Sequence, residues 1–158
     1  MSEISAVPII LAEDDDGHAD LIEMNLRRAG VVNKLYRVRD GQEAIDALFG
    51  KNPIIKDLVH PSSFLLILDI NMPRVDGMEV LRQIKLNRVT ALAPVIVLTT
   101  TDDPREIQRC YELGCNVYVT KPVAYDSFVE AIRRIGLFLQ IIAMPLVNTA
   151  SLKRLQTL

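Results

Sequence analysis

The chain has 158 residues, a formal net charge of −2, 49% hydrophobic and 24% charged residues. That length fits one domain with its own core, and the composition excludes a disordered polymer. The near-neutral charge and the absence of Trp exclude a basic nucleic-acid surface and a base-stacking platform.

The first apolar run, 7–12, reads as a buried strand that ends in Glu13, Asp14, Asp15 and Asp16. A helix follows, with Ala19, Ile22, Leu26 and Ala29 on one face and Gly30 as its stop. Residues 34–39 form a more amphipathic strand, expected at a sheet edge. Asp40 and Glu43 have the spacing of a capping box that opens a helix through Phe49. The polar connection 51–63 is longer than the usual link between helix and strand. Residues 64–68 are the most apolar strand, and Asp69 ends it. Asp76, Gly77 and Glu79 open the next helix, with Val80, Leu81 and Ile84 inward. Strand 94–98 leads into Thr99, Thr100 and Thr101. Asp103, Pro104 and Glu106 start a helix expected to turn Ile107, Cys110, Tyr111 and Gly114 inward. Strand 117–120 ends at Lys121 and Pro122. The last helix begins near Tyr125, with Phe128, Ala131, Ile132, Ile135 and Leu139 on one stripe.

Five strands alternating with five helices is a (βα)5 pattern. It predicts an α/β fold, a doubly wound parallel sheet with helices on both faces. The organisation expected is a short tail at 1–6, one domain over 7–136 and an apolar extension over 137–158. Cys110 and Cys115 are too few for a disulfide framework and wrongly spaced for zinc, so reduced thiols are expected. The start has no signal-peptide pattern, and the longest apolar run, 137–147, falls short of the ~20 residues that span a bilayer. A cytoplasmic location without membrane contact is the expectation.

In open α/β sheets, ligands bind beyond the carboxyl ends of the strands. Glu13 and Asp14, Asp69, Thr99 and Lys121 all stand there. Three clustered carboxylates repel one another and call for a cation. Oxygen donors without His or thiolate favour Mg2+, with Mn2+ possible, over zinc. Lysine and threonine beside them suit the oxygens of a phosphoryl group, and Asp69 is the candidate nucleophile. A haloacid-dehalogenase-type phosphatase would want a second acid where Asn71 stands, and a cap domain. An FMN-binding protein would want a phosphate loop that is not acidic.

The motifs together resemble the receiver domain of two-component response regulators. They are Glu13-Asp14, Leu68-Asp69-Ile70-Asn71-Met72-Pro73 with Asp76-Gly77, Thr99-Thr100, and Tyr118-Val119-Thr120-Lys121-Pro122. The resemblance implies a flavodoxin-like strand order of 2-1-3-4-5. It implies Asp69 as phosphoacceptor and Glu13, Asp14, Asp69 and the Asn71 carbonyl around the metal. Lys121 would contact a phosphoryl oxygen, Thr99 and Tyr118 would form the switch pair, and the Lys121–Pro122 bond would be cis. The implied role is a signalling protein, not an enzyme in its own right, that accepts a phosphoryl group from a histidine kinase. The alternative weighed is a scaffold that works without phosphorylation. The chain is most similar to the stand-alone receivers paired with phytochrome-type kinases of bacteria and cyanobacteria. The residues beyond 136 are too few for a DNA-binding domain, so no output domain is expected.

The end of the last helix loses its polar face. Such a helix exceeds what one receiver surface can cover. The sequence therefore predicts a two-fold homodimer through Phe138, Ile141, Ile142 and Met144. Asp15 and Asp16 are expected as capping or solvated residues, His18 as a surface residue near the site entrance, and Tyr111 and Tyr125 as packing residues.

Overall fold

A computed structural model describes residues 7–49 and 64–141. Five strands and five helices alternate in this order: β1 (Ile9–Ala12), α1 (Asp16–Arg28), β2 (Leu35–Val38), α2 (Gly41–Leu48), β3 (Leu65–Leu68), α3 (Gly77–Leu86), β4 (Val95–Thr99), α4 (Pro104–Leu113), β5 (Val117–Thr120) and α5 (Tyr125–Ile141). All strand pairs are parallel, in the order β2-β1-β3-β4-β5. This is the doubly wound flavodoxin-like sheet that the resemblance implied.

Alternation along the strands splits the core into two layers. Ile10, Ala12, Leu66, Leu68, Val95 and Val97 face α2, α3 and α4. Ile9, Leu11, Leu65, Ile67, Ile96 and Leu98 face α1 and α5. Burying each such aliphatic side chain contributes about 1.5–3 kcal/mol. Parallel strands need cover on both faces, so the central three are buried throughout. β2 and β5 are the half-exposed edges.

Capping follows the sequence with shifts of one residue. The Asp40 carboxylate accepts from the Glu43 N–H, but the Glu43 side chain reaches the Arg39 N–H rather than that of Asp40. Asp76 accepts from the Glu79 N–H, while the Glu79 carboxylate turns to Arg82 and Gln83. Asp103 caps α4 through the Arg105 N–H. Gly30, at φ +99°, makes the left-handed exit from α1.

α4 departs from expectation. Cys110 is its one buried side chain; Ile107 is half-buried and Tyr111 is 48% exposed. The helix lies beside an edge strand that offers it only a narrow apolar strip. The Tyr111 hydroxyl instead accepts the Tyr118 N–H of β5. Both thiols are buried, which pushes Cys110 up to about 12 and Cys115 to about 11, so they stay protonated.

The early part of the C-terminal prediction can be inspected directly. Leu139 is buried against α1 and the sheet, whereas Leu137, Phe138 and Ile141 are 45%, 41% and 81% exposed. Ile142, Met144 and the rest of 142–158 lie outside the described residues, as do the tail 1–6 and the connection 51–63.

Candidate functional site: an acidic pocket at the carboxyl end of the sheet

Each strand delivers its last residue to one crevice because the strands run parallel and in register: Ala12 pairs with Leu68, and Thr99 with Thr120. Glu13 therefore lies beside Asp69, and Lys121 follows on the far strand. The β1 and β3 ends are held by backbone bonds, Asp69 N–H to the Ala12 carbonyl at 3.0 Å and Glu13 N–H to the Val38 carbonyl at 3.0 Å.

Lys121 is the hub. Its ammonium donates to both Glu13 carboxylate oxygens, at 2.9 and 3.1 Å, and to Asp69 Oδ2 at 3.0 Å. All three side chains are almost wholly buried. Burial pushes the Glu13 carboxyl up to about 8, against the pull of the Lys121 hydrogen bond. One ammonium faces two buried carboxylates, with exposed Asp14 beside them.

Ligand atoms of Glu13, Asp14 and Asp69 lie within 4.8 Å of one another. This all-oxygen set with surplus negative charge fits Mg2+ or Mn2+. The remaining Asp69 oxygen, Oδ1, accepts the Asn71 N–H at 3.0 Å. That bond curls the chain after β3, and the Gly77 N–H bonds the Ile70 carbonyl to close the turn. A Cβ on Gly77 would lie 2.4 Å from the Asp69 carbonyl oxygen, so only glycine lets α3 start this close to the pocket.

Thr99 ends β4 fully buried at the pocket's other side. The Asn71 side-chain amide donates to the hydroxyls of Thr101, at 3.2 Å, and of Thr99 and Thr100, at 3.4 Å. Tyr118 is half-buried on β5, and its hydroxyl donates to the Thr101 carbonyl at 2.6 Å. Burial holds its phenol above the usual range. The Lys121–Pro122 bond is trans, correcting the expected cis form. A bond to proline has only a small preference between the two, so the surrounding loop selects the isomer.

Asp15 and Asp16 behave as expected: Asp15 caps α1 through the His18 N–H, and Asp16 pairs with Arg37 and Arg39. Three further contacts had no signal in the sequence. Arg37 on β2 donates twice to the Glu13 carbonyl, at 3.0 and 3.1 Å, and pins the acidic loop. Arg74 and Asp40 form a two-pronged ion pair across the β3–α3 loop. The His18 ring is not merely at the surface: its Nδ1 lies 3.3 Å from the Lys121 ammonium.

The response regulator receiver domain profile matches residues 9–133. The chain belongs to the response regulator receiver family. It is 32% identical to response regulator Rcp1 of Synechocystis over 92% of this chain and 99% of that one. Among solved structures it is similar to a receiver domain from Rhodospirillum rubrum, at 47% identity and a TM-score of 0.81, covering 88% and 97% of the two chains. It is similar as well to the phosphorylated cyanobacterial phytochrome response regulator RcpA, at 30% identity and a TM-score of 0.80, covering 89% and 99%. The Mn2+-bound form of Rcp1 matches equally well at 30% and 0.80, covering 88% and 99%. This receiver is thus a phosphoacceptor signalling domain with an acidic Mg2+ or Mn2+ pocket, and its kind works with sensor histidine kinases. The scaffold alternative is not favoured. No helix among the described residues is long and apolar enough to cross a membrane.

Proposed function

We propose that this receiver accepts a phosphoryl group onto Asp69 from the histidine kinase of a phytochrome-linked relay, in the cytoplasm, and acts by protein contacts rather than as an enzyme. The observation that carries this reading is the buried Lys121 ammonium bridging Glu13 and Asp69 at one strand-end crevice.

The chemistry follows from charge. An Asp69 carboxylate oxygen attacks phosphorus, the P–O or P–N bond to the donor breaks, and the electron pair leaves with the donor group. Glu13, Asp14, Asp69 and the Asn71 carbonyl would hold the Mg2+, which supplies positive charge to the phosphoryl oxygens. Lys121 supplies a second cation from its buried seat, and the Thr99 hydroxyl offers a hydrogen bond. The Asn71 N–H fixes Asp69 Oδ1 and leaves its rotamer little freedom.

The Tyr118 hydroxyl and the Asn71 amide both hold the β4–α4 loop at Thr101. Drawing the Thr99 hydroxyl toward a new phosphoryl group disturbs that loop, which supports Thr99 and Tyr118 as the switch. Phosphotransfer from candidate phytochrome-type kinases to wild type and Asp69→Asn tests the reading. Transfer to wild type alone is expected; transfer that survives in Asp69→Asn refutes it.

The exposed Leu137, Phe138 and Ile141, with Phe138 lining a groove of about 430 Å³ beside Ile96, Val117, Val119 and Ile135, support a homodimer through α5. Ile142 and Met144 extend the same expectation. Phe138→Asp with Ile141→Asp is expected to convert a dimer to a monomer in light scattering. A double variant of unchanged mass removes the proposal.

A further inference from the structure

His18 occupies the third helical position of α1, directly above the Lys121 hub. Its Nδ1 is 3.3 Å from Lys121 Nζ and 3.3 Å from Glu13 Oε1. Its ring leans on Phe128 of α5, with centroids 5.4 Å apart and planes tilted by 54°. The imidazole is thereby held between two helices on the roof of the pocket, with 41% of its side chain exposed.

The donor inventory decides which way the contact runs. The Lys121 ammonium has three N–H groups and no lone pair. Glu13 takes one, shared over two oxygens, and Asp69 takes another. The third needs an acceptor, because a buried ammonium N–H without one is expensive. A proton on His18 Nδ1 could point to Glu13 Oε1, 3.3 Å away, but it would leave the third ammonium N–H without an acceptor. The arrangement is satisfied when Nδ1 offers its lone pair to the ammonium.

We infer that His18 is a positioning residue for phosphoryl transfer: it accepts the third Lys121 N–H and fixes where the ammonium sits. Glu13 and Asp69 are the very groups whose oxygens are wanted elsewhere when the pocket works. His18 is a partner outside the carboxylates that can keep hold of Lys121 while they change their contacts. The inference rests on Asp69 as phosphoacceptor and adds a residue to that reading.

The test separates acceptor from ring. Asn Oδ1 stands one bond from Cγ, as His Nδ1 does, so His18→Asn keeps the acceptor and loses the ring. His18→Phe keeps the ring against Phe128 and loses the acceptor. Phosphorylation by acetyl phosphate with Mg2+ is followed for wild type, both variants and Asp69→Asn. With saturating donor, His18→Phe is expected to be about tenfold slower and His18→Asn within about twofold of wild type. In the metal-free protein, a lysine-selective proton–nitrogen spectrum is expected to show a protected Lys121 ammonium signal. That signal should persist in His18→Asn and vanish in His18→Phe. A wild-type rate in His18→Phe, or an equal loss in both variants, overturns the role of His18. Asp69-dependent labelling that neither variant alters overturns only this inference, whereas labelling that survives in Asp69→Asn overturns the phosphoacceptor reading itself.

Discussion

Two regions of the strand-end crevice are built differently. At the ends of β1 and β3, Glu13 and Asp69 are buried, cross-linked through the Lys121 ammonium that reaches over from the end of β5, and backed by Arg37. Around β4 and β5, Cys110 is the one buried side chain of α4, with Leu113 and Tyr111 adding partial contacts, β5 is half-exposed, and bonds from Tyr118 and Asn71 hold the loop at Thr101. The first region is over-determined, as a site for in-line transfer must be. The second has few contacts to lose, as an element that changes position must. Under the proposed function, chemistry and signalling occupy neighbouring parts of the crevice with different packing.

Removing the hub should strike the first region hardest. Lys121→Ala is expected to slow uptake from acetyl phosphate by about 10²–10³-fold. A loss no larger than that caused by changes around α4 would erase the distinction between the two regions. Arg37 is next. Among the described residues its guanidinium bonds the Glu13 carbonyl and Asp16, and Arg37→Ala is expected to weaken Mg2+ binding about tenfold in calorimetry, the usual scale for a group that orients a ligand. Unchanged affinity would mean that the acidic loop holds its shape unaided.

Tyr118→Phe probes the other region. It removes the bond to the Thr101 carbonyl and about 1 kcal/mol of stability. Hydrogen exchange should rise in the β4–α4 loop and α4, while uptake falls far less than in Lys121→Ala. Exchange that rises equally around Asp69 would contradict independent packing. The smallest effect belongs to the surface. Arg82, followed by Gln83, holds the exposed Glu79 carboxyl at about 2, below its ordinary 4.5. A lowered folded value stabilises above the unfolded one and is lost as pH falls from 4.5 toward 2. Exposure leaves little to lose. Glu79→Gln should shift the urea midpoint slightly at neutral pH and not at all once Glu79 is protonated.

The strand ends were readable in the sequence because parallel strands turn a one-dimensional rule into a place: an apolar run followed by Asp69 or Lys121 marks the carboxyl edge. Capping signals at Asp40, Asp76 and Asp103 were readable for the same local reason. Contacts that join distant segments were not. Arg37 looks like a polar residue on an edge strand, and nothing near it says that its guanidinium spans to the Glu13 carbonyl. His18 reads as a surface residue until α5 places Phe128 against it and β5 brings Lys121 beneath it. Tyr111 fits a helical stripe, yet it is exposed because the edge strand leaves α4 no deep bed.

Intact-mass measurement after treatment with acetyl phosphate and Mg2+, followed by borohydride trapping and peptide mapping, tests the central claim most directly. The predicted result is one phosphoryl group per chain, mapped to Asp69 and absent from Asp69→Asn. A phosphoryl group mapped to any other residue, or a wild-type chain that gains none, would contradict it.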